Sequence, residues 1–176
     1  MLLFSTGLSP QPVRQRGVGR VEIREGRRSD SAGFLRLVEG LARFEHLEPP
    51  SEAGRRRLLD DLFQRRRIHL FVAAEGKRLV GYALYFFSYS SFLAKPTLYI
   101  EDIFVEEERR GSGIGIGLFR RCAKTAVSEK CGRMEWAVLK WNGKAIGFYE
   151  GLGARRLGDW DVFRLDEVGI RKVSGR

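Results

Sequence analysis

The segment from Arg110 to Ile116 reads RGSGIGI, with glycines at 111, 113 and 115 behind an arginine. Glycine lets a backbone approach a ligand closely and take dihedrals closed to other residues. Where a helix begins in such a run, successive N–H groups converge at the positive end of the helix dipole. A pyrophosphate suits that cradle. Several phosphate loops share these features, and spacing separates them. The dinucleotide fingerprint G-x-G-x-x-G fails, because its last position falls on Ile116 counting from Gly111 and on Leu118 counting from Gly113. A Walker loop requires a lysine after its last glycine, and none follows. The companion segments of a kinase are missing. A plain glycine-rich turn into a helix, without a ligand, is the alternative. Arg110 has two readings, a phosphate contact or a brace for the loop. Gly117 falls inside the first helical turn and reads as a close-packing residue, outside the site.

Just upstream, LYIEDIFV (98–105) sets two adjacent acids, Glu101 and Asp102, in an apolar run. Strand alternation puts them on opposite faces. Burial raises a carboxyl pKa, and a neighbouring acid raises it further. Glu101, buried in this way, is suited to take up a proton or to hold a cationic group. An internal salt bridge is the alternative. Asn142 precedes a short helical run, where Asn is also a common turn residue. Glu45 reads as a surface charge at a helix end or as a ligand for a cation. His46, His69, Cys122 and Cys131 are too scattered for a four-ligand zinc site, so no metal is expected. Both cysteines read as small buried hydrophobes, and a reduced, cytoplasmic protein is the simplest setting.

These residues need positioning elements. RVEIRE (20–25) alternates as a strand. An amphipathic helix follows, with Ser29 or Ser31 as cap and Phe34, Leu37, Val38, Leu41 and Ala42 on its inner side. PPSEAGRRRLLDDLFQRRR reads as a second helix starting near Ser51, with Arg55–57 and Arg65–67 on a solvated face. HLFVAAE (69–75), LVGYALYFFSYS (79–90) and TLYIEDIFV (97–105) read as strands, the first two as an antiparallel hairpin. A helix is expected from about Gly115 to Glu129, with Leu118, Phe119, Cys122, Ala123, Ala126 and Val127 inward. A strand over 133–139, a short helix from Lys144 to Gly151 and a last strand over 161–166 complete an α+β fold, a mixed sheet with helices on its faces. Trp136, Trp141 and Trp160 read as packing residues.

The length of 176 residues suits a single domain with a real core. Residues 1–19 contain no acid, and they are read as a flexible N-terminal extension, with a transit segment as the alternative. Residues 20–176 form the folded domain. No apolar run is long enough for a membrane helix, so no membrane partner is expected. The net charge is +10 and only seven of the 32 basic residues are lysine. That charge permits a polyanion as partner, but no nucleic-acid recognition motif accompanies it.

Taken together, the segments resemble the GNAT N-acetyltransferases. R-x-x-G-x-G after a strand resembles their acetyl-CoA pyrophosphate loop, and LYIEDIFV resembles the strand before it. WNGKAIGFYEGLGA (141–154) resembles the downstream Asn, helix and Tyr of the family. YFFSYSSF (85–92) and LARFEHLE (41–48) resemble the branch of diamine (spermidine/spermine) and thialysine N-acetyltransferases. The likeness spans about residues 20–170. Diamine enzymes carry acids where Ser90 and Lys140 stand here, so SYSSF and AVLKWN look nearer to the thialysine side.

The resemblance implies a GNAT-like, mostly antiparallel sheet and acetyl transfer from acetyl-CoA to a primary amine of a small molecule. The amine attacks the thioester directly, and Tyr149 is implied as general acid. Glu101 is implied as the amine contact, with Phe44 and Glu45 on the acceptor side. Backbone groups of Ile103, Phe104 and Val105 would meet the pantetheine and the acetyl carbonyl. Arg110 and the run Gly111, Ser112, Gly113, Ile114, Gly115 and Ile116 would hold the pyrophosphate. Asn142, with Lys144, would make a second cofactor contact. A homodimer is implied as well. Protein or peptide acetylation is the enzymatic alternative, and a basic nucleic-acid-binding protein the non-enzymatic one.

Overall fold

The computed structural model describes residues 20–175, which fall into two compact units divided after Ala137. The expected extension over residues 1–19 lies outside the described residues.

In the first unit, chain order runs β1 (Val21–Glu25), α1 (Ser31–Glu45), α2 (Glu52–Phe63), β2 (His69–Glu75), β3 (Arg78–Ser90), β4 (Lys95–Val105), α3 (Ile114–Ser128) and β5 (Arg133–Trp136). The strands form one sheet in the order β1-β2-β3-β4-β5. Pairings from β1 to β4 are antiparallel, and β5 joins β4 in parallel after the α3 crossover. This is the expected α+β class with a mostly antiparallel sheet.

Alternation in the strands supplies two apolar faces. One face gathers Phe71, Val80, Ala83, Tyr85, Leu98 and Ile100 under Ile114, Leu118, Cys122 and Ala126 of α3. The other gathers Val72, Leu79, Tyr82, Leu84 and Phe104 under Phe34 and Leu37 of α1 and Leu62 of α2. The sheet is therefore a shared floor between helices. The inward stripe of α3 steps by four residues, and Val127, one position past Ala126, is 79% exposed instead of inward.

One irregularity in β4 positions the site. Asp102 pairs with Leu84 and Ile100 with Tyr85, so Glu101 is an extra residue opposite no partner. This β-bulge reverses the alternation. Leu98 and Ile100 face α3, whereas Phe104 packs with the α1 and α2 face. Ile103 and Val105 pack instead against the α3 side.

Several boundaries differ from the sequence reading. Neither Ser29 nor Ser31 caps α1; Asp30 stands at the cap position without a capping bond. Its carboxylate accepts the Arg27 N–H at 2.7 Å and the Arg24 guanidinium at 2.7 Å, and Ser31 Oγ donates back to the Arg28 carbonyl at 2.6 Å. Ser51 does cap α2, accepting from the Gly54 N–H at 3.2 Å. That helix ends at Phe63, so Arg65, Arg66 and Arg67 lie beyond it, exposed. β5 stops at Trp136 instead of 139, because only Thr97–Ile100 of β4 pair with it.

The second unit holds α4 (Gly143–Gly151) and α5 (Glu167–Val173). The strand expected over 161–166 is absent: all six residues are exposed and lie in no strand. Alternation alone makes no strand without an edge to pair with. Asp166 instead caps α5, accepting from the Gly169 N–H at 2.7 Å. Trp141 and Trp160, expected to pack, are 56% and 75% exposed.

Candidate active site

β4 changes surroundings at Glu101. Before it, Thr97–Ile100 pairs with both β3 and β5. The second half of β4 pairs with β3 alone, since β5 ends opposite Ile100. The other edge of Glu101–Val105 thus offers backbone groups that no strand of the sheet uses. An extended ligand with amide groups can pair with such an edge.

The chain leaves β4 through an anchored turn. Glu106 is buried, and its N–H donates to the Val80 carbonyl at 3.0 Å. Its carboxylate accepts from Arg36 and, at 2.8 Å, from Arg78. Arg109 pairs with Glu75, and Ser112 Oγ donates to the Arg109 carbonyl at 2.6 Å. The loop beyond is therefore held from both sides.

Gly111 and Gly113 have φ of 75° and 84°, and a Cβ at either would meet nothing within 4 Å. The dihedral requires glycine there, and the space above the loop is open. Gly113 is the N-cap of α3, with no side-chain cap and no acid in the first turn. The first intrahelical bond in this turn is Gly117 N–H to the Gly113 carbonyl at 3.0 Å. The N–H groups of Ile114, Gly115 and Ile116 precede it and have no intrahelical acceptor. An anion is the natural partner for them. Gly117 is different: a Cβ there would lie 2.4 Å from Ile23 Cδ1, so it serves the packing of α3 on β1, as read from its position.

Arg110 braces the loop, donating from Nε to the Val105 carbonyl at 3.1 Å. Its guanidinium carbon lies 4.7 Å from the Phe44 ring centroid and 5.8 Å from that of Phe104. It thereby ties the end of α1 to the glycine loop.

The acids depart from expectation. Glu101 is exposed at the bulge, not buried. The half-buried acid of the strand is Asp102, which accepts a hydrogen bond from Tyr82 Oη at 3.2 Å. Burial, and next the charge of Glu101, push Asp102 up to about 6; the Tyr82 bond pulls it down, and Glu45 adds a smaller push upward. Burial also raises Glu45. Glu45, at the end of α1, thus lies within electrostatic reach of the bulge. Among the described residues, none of Glu45, Glu101 and Asp102 is in a salt bridge. The sequence presents Asp102 only as the acid beside Glu101 and does not single out Tyr82. Adjacency to Glu101 was the available signal for Asp102; Tyr82 had none, as its partner is 20 positions away.

Three further candidates belong to the second unit. Asn142 caps α4, its Oδ1 accepting from the Ala145 N–H at 3.1 Å, so the turn role is real. Lys144 is exposed in the first turn of α4. Tyr149 is half-buried on α4, its ring centroid 5.1 Å from that of Phe148 at an interplanar angle of 66°. Among the described residues there is no group of three or more His, Cys, Asp or Glu placed to hold a metal. No described helix is long and apolar enough to cross a membrane.

Comparison with known proteins bears on this geometry. The acetyltransferase (GNAT) family model matches residues 35–154. A thialysine N-epsilon-acetyltransferase of Bos taurus is 34% identical over 168 residues, covering 89% of this chain and 98% of its own length. An L-ornithine N5-acetyltransferase of Arabidopsis thaliana is 47% identical over 96 residues, covering 54% of this chain and 42% of its own. An integron cassette protein of V. cholerae shares the fold with a TM-score of 0.73 at 23% identity, over 89% of this chain and 98% of that one. The family match runs through both compact units, which makes them parts of one domain. An open strand edge that runs into an uncapped, glycine-built helix N-terminus thus has its explanation: the chain belongs to the GNAT family of acetyltransferases and is an N-acetyltransferase.

Proposed function

We propose that the protein transfers the acetyl group of acetyl-CoA to a primary amine of a small molecule, a lysine analogue such as thialysine or a compact diamine. The observation that carries this reading is the continuity of β4. Its unpaired edge (Ile103, Phe104, Val105) leads through Arg110 into the loop Gly111–Ile116, and acids stand at the start of that edge. The edge fits the amides of a pantetheine arm, and the uncapped N–H groups of α3 fit a pyrophosphate. Acetyl-CoA supplies the thioester that is attacked. Residues 20–176 form the catalytic domain in this reading.

Glu45, Glu101 and Asp102 draw the acceptor in as its ammonium form. A carboxylate there, Glu101 directly or through water, takes one proton and frees the nitrogen lone pair. Nitrogen bonds to the carbonyl carbon, whose oxygen is polarised by a backbone N–H of Phe104 or Val105. The C–S bond breaks, the new amide nitrogen gives up its second proton to water, and Tyr149 gives its phenolic proton to the leaving sulfur and recovers one from solvent. A phenol of pKa about 10 is matched to a thiolate leaving group. The likeness of GFYEGLGA to the family's catalytic segment carries this role. Phe44 lines the acceptor side, and Asn142 with Lys144 makes a second cofactor contact. Ser90 and Lys140, standing where diamine enzymes carry acids, favour a compact amine over a long polycation. The two free cysteines suit a reducing cytoplasm, and a homodimer is the assembly we expect from the family resemblance.

Calorimetry with CoA, followed by thiol release on a panel of thialysine, ornithine, spermidine and lysine peptides, tests the reading. CoA binds, and the compact amines react fastest. No CoA binding would end the proposal, and turnover of peptides alone would convert it to protein acetylation.

A further inference from the structure

We propose that Tyr82 is a positioning residue for the acceptor amine: its buried hydroxyl holds one oxygen of Asp102 and leaves the other for the ammonium group. The inference rests on the acetyltransferase reading above and assigns a residue within that site.

Tyr82 lies in the middle of β3 with no exposed surface. Its ring is a core ring, edge-on to Phe34 at 5.1 Å and tilted against Phe104 at 6.3 Å. Phenylalanine would satisfy all of that packing. A hydroxyl in such a place requires a partner, and the partner is Asp102 Oδ2. The bulge at Glu101 makes the contact, because without the extra residue Asp102 would share the face of Ile100 and point away from Tyr82. A phenol therefore sits in a hydrophobic core, and what its oxygen contributes is a bond to one carboxylate.

The surroundings define what that bond does. The charges of Glu101, next in the strand, and of Glu45, at the end of α1, act on Asp102, and Tyr82 bonds it from β3. No cation is among the groups that shift Asp102; Arg110 lies over Phe44 and Phe104 and bonds the Val105 carbonyl. Two acids and partial burial favour the protonated form of Asp102, and a protonated carboxyl binds an ammonium poorly. The Tyr82 hydroxyl opposes this by donating to the ionised form. It is a permanent donor, since burial and the adjacent carboxylates hold its own pKa well above the ordinary tyrosine value. It does not exchange a proton with the substrate.

The test compares wild type, Tyr82→Phe, Asp102→Asn and the double variant in thialysine acetylation from pH 5 to 9, using the full chain. Tyr82→Phe keeps the ring and the fold. Without the hydroxyl, Asp102 protonates at higher pH. The acid limb of kcat/KM therefore moves upward, with a loss of about five- to tenfold below pH 6 that closes above pH 8. CoA affinity stays unchanged. In the Asp102→Asn background, removing the hydroxyl has no further effect. An unshifted limb in Tyr82→Phe overturns the proposal, and so does an equal loss at every pH that persists in the Asp102→Asn background. If wild type acetylates no amine of the panel, the functional reading itself fails, visibly in the parent enzyme, and the positioning role falls with it.

Discussion

The two halves of β4 have opposite surroundings. Thr97–Ile100 has strands on both sides, and Leu98 and Ile100 are buried beneath α3. Glu101–Val105 has a strand on one side, an exposed acid at its start and a half-buried one next to it. The first half is saturated: its backbone bonds and its apolar surface are used within the fold. The second half leaves capacity for a ligand, at some expense in stability. One inserted residue divides them. The bulge interrupts the ladder with β3 and turns Asp102 toward Tyr82, and at the same place β5 stops.

That contrast can be broken by measurement. The largest effect belongs to the saturated half. Leu98→Ala removes a side chain with no exposed surface and destabilises the fold by about 2–5 kcal/mol in urea unfolding, while the folded fraction keeps its CoA affinity. A loss of affinity beyond the loss of fold would dissolve the division.

Next comes the carboxyl at the boundary. Folded Asp102 titrates at about 6, against 3.8 for an ordinary Asp. The folded state therefore holds more protons than the unfolded chain between those values. Its contribution to stability falls as the pH rises from about 4 to about 6, by about 2 kcal/mol, and is flat above. The wild-type stability minus that of Asp102→Asn, followed from pH 4 to 8, shows this slope; a rising or flat difference would place Asp102 in an ordinary ion-pair environment.

Gly113→Val sharpens the loop side of the open half. At φ 84° a β-branched residue is strained by about 1–3 kcal/mol, and CoA affinity falls about tenfold or more in calorimetry. Since no atom crowds the position, the loss comes from the backbone alone, and Gly113→Ala shows a smaller loss of the same kind. The smallest structural effect is that of Glu101→Gln. The side chain is exposed, so the melting temperature stays within about 1 °C, while kcat/KM for the amine drops severalfold. A melting shift comparable to that of Leu98→Ala would make Glu101 a structural residue.

Much of this was legible in the chain. HLFVAAE is a short apolar run closed by the turn GKR, and β2 begins and ends where that run does. The glycines of RGSGIGI announced a backbone that other residues cannot follow, and φ at Gly111 and Gly113 is positive. Gly117 read as a packing glycine from its place in the helix, and Ile23 is the reason. The failures share one cause, which is the partner. The run 161–166 alternates but has no strand beside it, and β5 is cut to the length of its pairing. Ser31 has the right chemistry for a cap, yet its hydroxyl turns back to Arg28. Trp160 is apolar by type and exposed by circumstance.

The sequence by itself determined the residue types and their local order: an acid pair, an apolar strand, a glycine loop and a helix without an acidic first turn. Those are properties of the next few residues, and dihedral preference and alternation express them locally. The tertiary structure decided which acid is buried. A period of two cannot show that Glu101 is extra, because a bulge is defined by the register of β3 against β4. Only that register sets Asp102 beside a phenol 20 residues earlier and leaves the rest of the strand open to a ligand.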